Sequence, residues 1–320
     1  MVTLCVTKQK SATLRGPVTG FRILMAKHYG MCFGVRDALA EAERVASRRP
    51  ATILGELVHN EVVMERLDKA GVREGQLEAE GAPTPDVIVT AHGASDRERK
   101  RWANIGYRVT DTTCPLVRKA HVALAGLVLE GYTPVVIGKR GHVEVRGLTG
   151  DFPGTFVILD DREIEELPFS ERFGVVAQTT QPIERVEDLL AKIRRRHPGA
   201  EVVFKDTVCQ PTKARQKALE TLCVEVDFVL VVGGHNSNNS RQLVEKARRL
   251  GCRSERVTRS GEIHAEWFFD TRVVGVTAGT STLEESVEEV VVHLESLGGR
   301  RERLPRPDTA AAFSGKKLAV

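Results

Sequence analysis

The 320-residue sequence has no long apolar run and no block of five or six like charges. A membrane-spanning helix needs about 18 or more consecutive apolar residues, and a secretory signal needs a basic segment before an apolar one. Neither pattern occurs here. Aromatic residues make up only 5% of the chain, and its net charge of +4 is not gathered into the basic stripe of a nucleic-acid-binding surface. We therefore expect a cytoplasmic protein with neither a membrane nor a nucleic acid as its partner.

The common phosphate-binding motifs are missing as well. The chain contains neither G-x-G-x-x-G nor G-x-x-x-x-G-K-[ST], which argues against a nicotinamide or ATP as reactant. Any electrons that the protein uses would then come from a partner protein. Hydrophobic residues at 41% and charged residues at 28% are typical of a globular protein with one to three domains.

One pattern occurs three times along the chain. In each copy an apolar strand is followed by a cysteine and then by a segment with apolar residues at helical spacing. The cysteines are Cys32, Cys114 and Cys209. The segments 111–114 and 206–209 are nearly identical, with the sequences Asp-Thr-Thr-Cys and Asp-Thr-Val-Cys. The recurrence predicts three similar structural units.

Each copy continues with a second strand that runs into a glycine and a polar turn. His59, His142 and Asn236 lie in these turns, 27, 28 and 27 residues after the cysteine of their own copy. A third strand in each copy ends at a histidine or at small polar residues. The complete order in every copy is therefore βαβαβ.

Alternating strands and helices predict an α/β protein with parallel sheets, whose functional loops lie at the carboxyl ends of the strands. If the three units pack about a pseudo-threefold axis, the cysteines and the polar turns meet at one central site. The predicted divisions are an N-terminal extension, three α/β units and a C-terminal tail, at 1–20, 21–105, 106–199, 200–296 and 297–320.

The cysteines are too far apart for the disulfide framework of a small secreted domain or the paired spacing of a structural zinc site. Each repeated cysteine precedes a helix, whose N-terminus favours a thiolate, and three converging thiolates need a metal to balance their charge. Zinc with a water ligand is one possibility. An iron-sulfur cluster with three protein ligands and one open iron fits better. Cys5, Cys223 and Cys252 lie outside the pattern and are predicted to be structural.

The polar turns are rich in neutral donors, which suits an anion with several oxygens, such as a phosphate or diphosphate. If the central turn is extended, Glu144 points to the same side as His142 and can act as a proton donor beside the anion. Glu56, earlier in its own turn, is a weaker candidate. The donors are His59, Asn60, His92, His142, Thr179, Thr180, Asn236, Ser237, Asn239 and Ser281.

An ordered set of short motifs resembles one known family. Each motif is weak alone, but the set in this order is specific, and it extends over residues 21–291. The motifs are Gly-Met-Cys-Phe-Gly-Val at 30–35, Gly-Glu-Leu-Val-His-Asn at 55–60, Ala-His-Gly at 91–93, Asp-Thr-Thr-Cys-Pro-Leu-Val at 111–117, Gly-His-Val-Glu-Val at 141–145, Gln-Thr-Thr at 178–180, Asn-Ser-Asn-Asn-Ser at 236–240 and Ala-Gly-Thr-Ser at 278–281. They resemble the LytB (IspH) family of 4-hydroxy-3-methylbut-2-enyl diphosphate reductases, enzymes of the non-mevalonate isoprenoid pathway.

The resemblance implies a trefoil of three Rossmann-like units around a central 4Fe-4S cluster. Cys32, Cys114 and Cys209 would hold the cluster, one iron would be open to the substrate hydroxyl, and exposure to air would convert the cluster to 3Fe-4S or remove it. The implied catalytic residues are Glu144, Thr179 and His142. The implied diphosphate-binding residues are His59, His92, His142, Thr180, Ser237, Asn238, Asn239 and Ser281.

The reaction implied by the resemblance is a reductive dehydroxylation. Two electrons and two protons would remove the hydroxyl group as water and give isopentenyl and dimethylallyl diphosphate. Reduced ferredoxin or flavodoxin is the expected electron donor.

Two residues depart from the family pattern, and two other functions stay open. Asn238 stands where many members have a second serine, and His235 either approaches the diphosphate or faces solvent. One alternative is a metal-binding regulator without catalysis, against which Glu144 and the lack of a basic stripe argue. The other is a hydro-lyase, which also uses an open iron but would use arginines to bind carboxylates.

Overall fold

The computed structural model describes residues 20–302. Nearly all of the predicted N-terminal extension and most of the predicted tail, from 303 onward, lie outside the described residues. Elements are numbered in chain order. The strands are β1 (Phe21–Met25), β2 (Ala51–Leu54), β3 (Val72–Gly75), β4 (Asp86–Val89), β5 (Arg108–Asp111), β6 (Thr133–Ile137), β7 (Phe156–Ile158), β8 (Arg172–Ala177), β9 (Glu201–Phe204), β10 (Phe228–Val232), β11 (Arg253–Val257), β12 (Val273–Ala278) and β13 (Gly299–Arg301).

Helices separate most of these strands. The α-helices are α1 (Phe33–Ala46), α2 (Glu61–Lys69), α3 (Asp96–Asn104), α4 (Pro115–Leu129), α5 (Val143–Thr149), α6 (Asp161–Glu165), α7 (Ile183–Arg196), α8 (Gln210–Glu225), α9 (Asn238–Arg249) and α10 (Glu284–Ser296). Within residues 20–302, no helix is both long enough and apolar enough to cross a membrane.

The described strands form three sheets in which all pairings are parallel. The strand orders are β3-β2-β4-β5, β7-β6-β8-β9 and β11-β10-β12-β1-β13. The α/β class with parallel sheets, predicted from the alternation of strands and helices, is therefore confirmed. The strands β10 and β12 are buried along their whole length, since a parallel sheet covered by helices on both faces has apolar strands throughout.

The strand that leads into each cysteine pairs with the sheet of the preceding unit. Strand β5 pairs with β4, β9 pairs with β8, and β1 pairs with β12. Helices α3 and α7 return the chain to the sheet that it has just left, and only then does the chain pass the cysteine into the next unit. Sheet membership therefore differs from the predicted boundaries at 105/106 and 199/200, which fall before β5 and β9.

The start of the predicted C-terminal tail is also part of a sheet. Residues Gly299–Arg301 form β13, which pairs with Phe21–Ile23 of β1. Gly299 allows this pairing because a Cβ there would lie 2.6 Å from Cδ1 of Ile23 and 2.7 Å from the Leu294 carbonyl oxygen. The tail as predicted from position 297 therefore begins inside the folded structure.

Candidate active site where the three sheets meet

One cavity is lined by loops from all three sheets, at the carboxyl ends of their strands. It is lined by all the catalytic, diphosphate-binding and cysteine residues implied by the family resemblance, whereas Asn60 and Asn236 of the predicted donors do not line it. The implied residues that line it are Cys32, His59, His92, Cys114, His142, Glu144, Thr179, Thr180, Cys209, Ser237, Asn238, Asn239 and Ser281. His235 does not line this cavity; its half-exposed ring lies 3.3 Å from a carboxylate oxygen of Glu262.

Three cysteines occupy equivalent positions, each immediately before a helix. Cys32, Cys114 and Cys209 are the N-cap residues of α1, α4 and α8, and none of their side chains caps the helix by a hydrogen bond. The loop of the first unit lies very close to the second cysteine, because a Cβ placed on Gly34 would be 2.3 Å from Sγ of Cys114. Position 34 therefore has to be glycine for the two units to approach as they do.

Burial controls the protonation of these thiols. It raises the pKa of Cys114, and it raises that of Cys209 to about 11, while backbone N–H groups of the helix N-termini lower both values only in part. At neutral pH these groups are therefore thiols until a cation replaces their protons. The helix N-termini therefore favour the thiolates in the direction expected from the sequence, but desolvation outweighs their effect.

The donor set fits a thiolate-bound metal group. Three soft sulfur ligands face one cavity, and the buried Arg215, which is only 6% exposed, bonds to the backbone carbonyls of Gly30 and Pro211, in the two loops that carry Cys32 and Cys209. A fourth protein ligand is not supplied by another cysteine among the described residues, since Cys223 and Cys252 contact each other elsewhere. An iron-sulfur cluster with three protein ligands fits the three sulfur ligands, and the positive charge of Arg215 suits an anionic group of this kind.

A second set of equivalent residues caps the next helix of each unit. Asn60, His142 and Ser237 are the N-caps of α2, α5 and α9, and the side chain of each accepts hydrogen bonds from backbone N–H groups of its helix. Each lies 28 residues after the cysteine of its own unit (32 to 60, 114 to 142 and 209 to 237). The structural equivalence is thus closer than the sequence spacing of 27, 28 and 27 residues suggested.

Three histidines form a cluster in the cavity. The ring centroids of His59 and His92 are 4.4 Å apart, and His142 lies 5.2 and 5.6 Å from them. Burial and the neighbouring histidines lower the pKa of His92 and lower that of His142 to about 3, so both rings are neutral at neutral pH. Glu56 holds the third ring, with 2.5 Å between its Oε2 and Nδ1 of His59.

Two buried polar atoms in the cavity have no hydrogen-bond partner among the described residues. They are Nδ1 of His92 and Nδ2 of Asn239. Buried polar atoms are nearly always paired, so each of these two atoms is available to bind a polar ligand. Asn238 differs, because its Nδ2 donates to Thr180 at 3.2 Å while its Oδ1 accepts from Arg241 at 2.8 Å.

Glu144 is the most buried carboxyl group of the site, at 1% exposure. The backbone N–H of Thr179 donates to its Oε1 at 2.6 Å, and the Thr179 hydroxyl donates to its Oε2 at 3.0 Å. Burial raises the pKa of Glu144 to about 7, although both bonds from Thr179 lower it. The carboxyl group can therefore exchange a proton near neutral pH.

The local structure around Glu144 differs from the expectation. Glu144 lies in the first turn of α5, directly after its cap His142, whose Nδ1 accepts from the Glu144 backbone N–H at 3.1 Å. The extended segment assumed in the sequence argument was wrong. The side chain nevertheless reaches the cavity, because the helix begins at the cavity wall.

Three residues that support the site were missed or given little weight at the sequence level. Asn60 donates from Nδ2 to the Ser281 carbonyl at 2.9 Å, Glu56 holds His59, and Arg215 bonds to the loops that carry two of the cysteines. Arg215 had a signal in the repeats. It stands six residues after its cysteine, where the other two copies have Ala38 and Ala120.

The fold and the cavity define an α/β protein in which three cysteines and a cluster of histidine, serine, threonine and asparagine side chains line one cavity. The model of the LytB protein family matches residues 23–295, and the chain belongs to this family. Family membership suggests an iron-sulfur enzyme.

Two relatives each match most of the chain. The 4-hydroxy-3-methylbut-2-enyl diphosphate reductase of Geobacter sp. (strain M21) is 34% identical over 278 residues, covering 86% of this chain and 98% of that protein. The protein of the same name from Methylibium petroleiphilum is 36% identical over 281 residues, covering 86% and 85%.

Two solved structures share the fold. The E-1-hydroxy-2-methyl-but-2-enyl-4-diphosphate reductase from Plasmodium falciparum superposes with a TM-score of 0.81 at 24% identity, covering 90% of this chain and 95% of that one. An (E)-4-hydroxy-3-methyl-but-2-enyl diphosphate reductase, described as the terminal enzyme of the non-mevalonate pathway, gives a TM-score of 0.63 at 32% identity, covering 86% and 99%.

Proposed function

We propose that this chain is a reductase of 4-hydroxy-3-methylbut-2-enyl diphosphate, the substrate in the names of its relatives. In this reaction the bond between the hydroxyl oxygen and its carbon breaks, and the oxygen leaves as water. Two electrons and two protons enter. One proton goes to the leaving oxygen, and the other forms a C–H bond at either end of the allylic system. The products are isopentenyl and dimethylallyl diphosphate.

One observation carries the proposal. A buried carboxyl group with a pKa of about 7 lies in the same cavity as three cysteines and a set of neutral anion-binding donors. A reductase of an allylic diphosphate needs these three functions side by side, since it has to bind the diphosphate, deliver electrons and supply protons.

The residues that would hold a 4Fe-4S cluster are Cys32, Cys114 and Cys209. When bound, the cluster supplies single electrons and an open iron that acts as a Lewis acid toward the substrate hydroxyl. The protein holds the ligands at three helix N-termini, so their positions depend on the packing of all three units.

The diphosphate would be bound by neutral donors from all three units. His59, His92 and His142 form one side of this site, and two atoms of its residues, Nδ1 of His92 and Nδ2 of Asn239, have no competing hydrogen bond among the described residues. Neutral donors leave the phosphate oxygens more basic than a ring of lysines would. The other proposed contacts are from Thr180, Ser237, Asn238 and Ser281.

Glu144 would supply protons through Thr179. The Thr179 hydroxyl bonds to Oε2 of Glu144 at 3.0 Å, so it can take a proton from the protonated carboxyl group and pass one to the leaving hydroxyl. His142 fixes the first turn of α5 by accepting from the Glu144 backbone N–H. His142 therefore positions the acid as well as facing the diphosphate.

The electrons would come from a separate protein, reduced ferredoxin or flavodoxin, in the cytoplasm. This part of the proposal is supported by the absence of nucleotide-binding motifs from the sequence. A one-electron donor would act twice in each turnover.

The test is an anaerobic assay of the reconstituted protein with reduced viologen and 4-hydroxy-3-methylbut-2-enyl diphosphate. Wild type is expected to oxidise the viologen and form both five-carbon products. Cys114→Ser is expected to lose both activity and visible cluster absorbance, whereas Glu144→Gln keeps the absorbance and loses most of the activity. A wild-type protein that binds iron but leaves this substrate unchanged would refute the proposal; release of water without viologen oxidation would favour a hydro-lyase.

A further inference from the structure

Arg215 is a buried cation with an unusual environment. Its guanidinium group donates from Nη1 to the Pro211 carbonyl at 2.9 Å and from Nη2 to the Gly30 carbonyl, and its Nε is buried without a partner among the described residues. The two carbonyls belong to the first turn of α8, after Cys209, and to the loop that leads to Cys32. Arg215 thus ties two of the cysteine loops together.

Arg215 has no carboxylate partner within the described residues. Another buried cation, Lys246, shows the usual arrangement, since its Nζ contacts Glu184 at 2.8 Å and Glu220 at 2.5 Å. The candidate anion-binding groups near Arg215 are instead Cys32 and Cys209, since its guanidinium group bonds to carbonyls two residues before Cys32 and two residues after Cys209. Burying a charge without an opposite charge is costly, so an arginine in this position indicates an anion that is bound next to it.

We propose that Arg215 is a positioning residue for the iron-sulfur cluster, and that its charge compensates the thiolate-bound group and makes it easier to reduce. The inference rests on the proposed function, because it needs the three cysteines to hold the cluster. Arginine suits the role, since it stays charged when buried and its planar fork holds two carbonyls at once. The equivalent positions of the other two units hold alanines, so only the third unit places a positive charge at this position.

A fixed positive charge beside a redox group favours the form with one more electron. Removing the charge should therefore lower the reduction potential and weaken retention of the cluster. For Arg215→Gln we expect the ratio of reduced to oxidised cluster at a fixed potential to fall about tenfold, equal to about 59 mV for one electron. Arg215→Lys keeps the charge but cannot hold both carbonyls, so its ratio should stay within about threefold of wild type while the cluster is lost faster to a chelator.

The test compares anaerobically reconstituted wild type, Arg215→Gln and Arg215→Lys by redox titration followed with EPR, and by iron retained per chain in a chelator. Lys217→Gln is the matched control, because Lys217 is on the same helix with its side chain 80% exposed. Screening by water should keep the ratio of this control within about twofold of wild type. A Gln variant that titrates within twofold of wild type would overturn the inference.

The outcomes separate this inference from the proposed function. If wild type takes up no iron-sulfur cluster, the proposed function fails before Arg215 is tested. If wild type is loaded and active but removal of the Arg215 charge changes neither potential nor retention, only the role of Arg215 fails. Should Arg215→Gln not fold, Arg215→Lys decides alone, since a tenfold fall in its ratio would contradict a role based on charge.

Discussion

Replacing Glu144 with glutamine should make the iron-free protein more stable at high pH and nearly inactive once loaded with its cluster. Glutamine keeps the shape of the side chain. Its Oε1 can accept from the Thr179 backbone N–H, and its amide can donate to the Thr179 hydroxyl, which then no longer has to donate. The variant therefore removes one titrating proton with little change in packing.

The magnitude follows from the shift in pKa. Burial raises the pKa of Glu144 from 4.5 to about 7, so the folded protein holds this proton more tightly than the unfolded chain does. The folded state is therefore penalised when the carboxyl group ionises: the penalty is absent below pH 4.5, grows as pH rises, and is complete above pH 7 at about 3 kcal/mol. Part of the penalty is already present at pH 5, so between pH 5 and pH 8 the free energy of unfolding of Glu144→Gln should rise relative to that of wild type by about 2–3 kcal/mol.

The assay is urea unfolding of both iron-free proteins at pH 5 and pH 8, in which other titrating groups cancel between the two proteins. In the loaded enzyme, activity of wild type should decline as pH rises through about 7, because only the protonated carboxyl group can donate. The residual activity of the variant should lack this decline. Equal pH dependence of stability in the two proteins would refute the buried, proton-holding state of Glu144.

Three further changes test other parts of the structure. Glu56→Gln should lower the free energy of unfolding by about 1 kcal/mol at pH 7, and this difference should vanish as pH falls through the lowered pKa of Glu56. The same variant should bind inorganic pyrophosphate more weakly, and an unchanged pyrophosphate titration would contradict the positioning of His59 by Glu56. Gly34→Ala should abolish cluster loading and lower the free energy of unfolding in urea by about 1–3 kcal/mol. Gly126 has open space around it, so the control Gly126→Ala should leave this free energy unchanged or raise it. Equal effects of the two variants on stability would disprove the close approach of Gly34 to Cys114. Lys246→Met should cost about 2 kcal/mol, and a stabilised variant would show that the cation is dispensable.

Much of the fold was predictable because the chain repeats itself. The three cysteines and the polar turns recur at nearly constant spacing, and alternating strands and helices predict parallel sheets without further information. The pairing of β1 with β12 was not predictable in the same way. The sequence of Phe21–Met25 does not show whether this strand pairs with β2, the next strand in the chain, or with β12, about 250 residues away. Parallel pairing is decided by how the units pack in three dimensions.

The site was predictable in its membership more than in its electrostatics. The equivalent positions in the three repeats predicted which residues line one cavity. The roles assigned to these residues from the family resemblance stay predictions. Sequence spacing cannot show desolvation, which holds His92 and His142 neutral and the buried thiols protonated. Arg215 was overlooked because a single basic residue in a helix normally faces solvent.

The pairing of the first strand with the last unit has a consequence for the order in which the protein matures. The backbone N–H groups of Gly30 and Cys32 donate to the carbonyls of Ala278 and Thr280, so the loop of the first repeated cysteine is held by residues that are made about 250 positions later. Until that late segment has been synthesised, the nascent chain can present at most two of its three thiols in place. If the three thiols hold a cluster as proposed, its insertion has to wait until β12 has been made, and a chain truncated before β12 should fail to acquire iron.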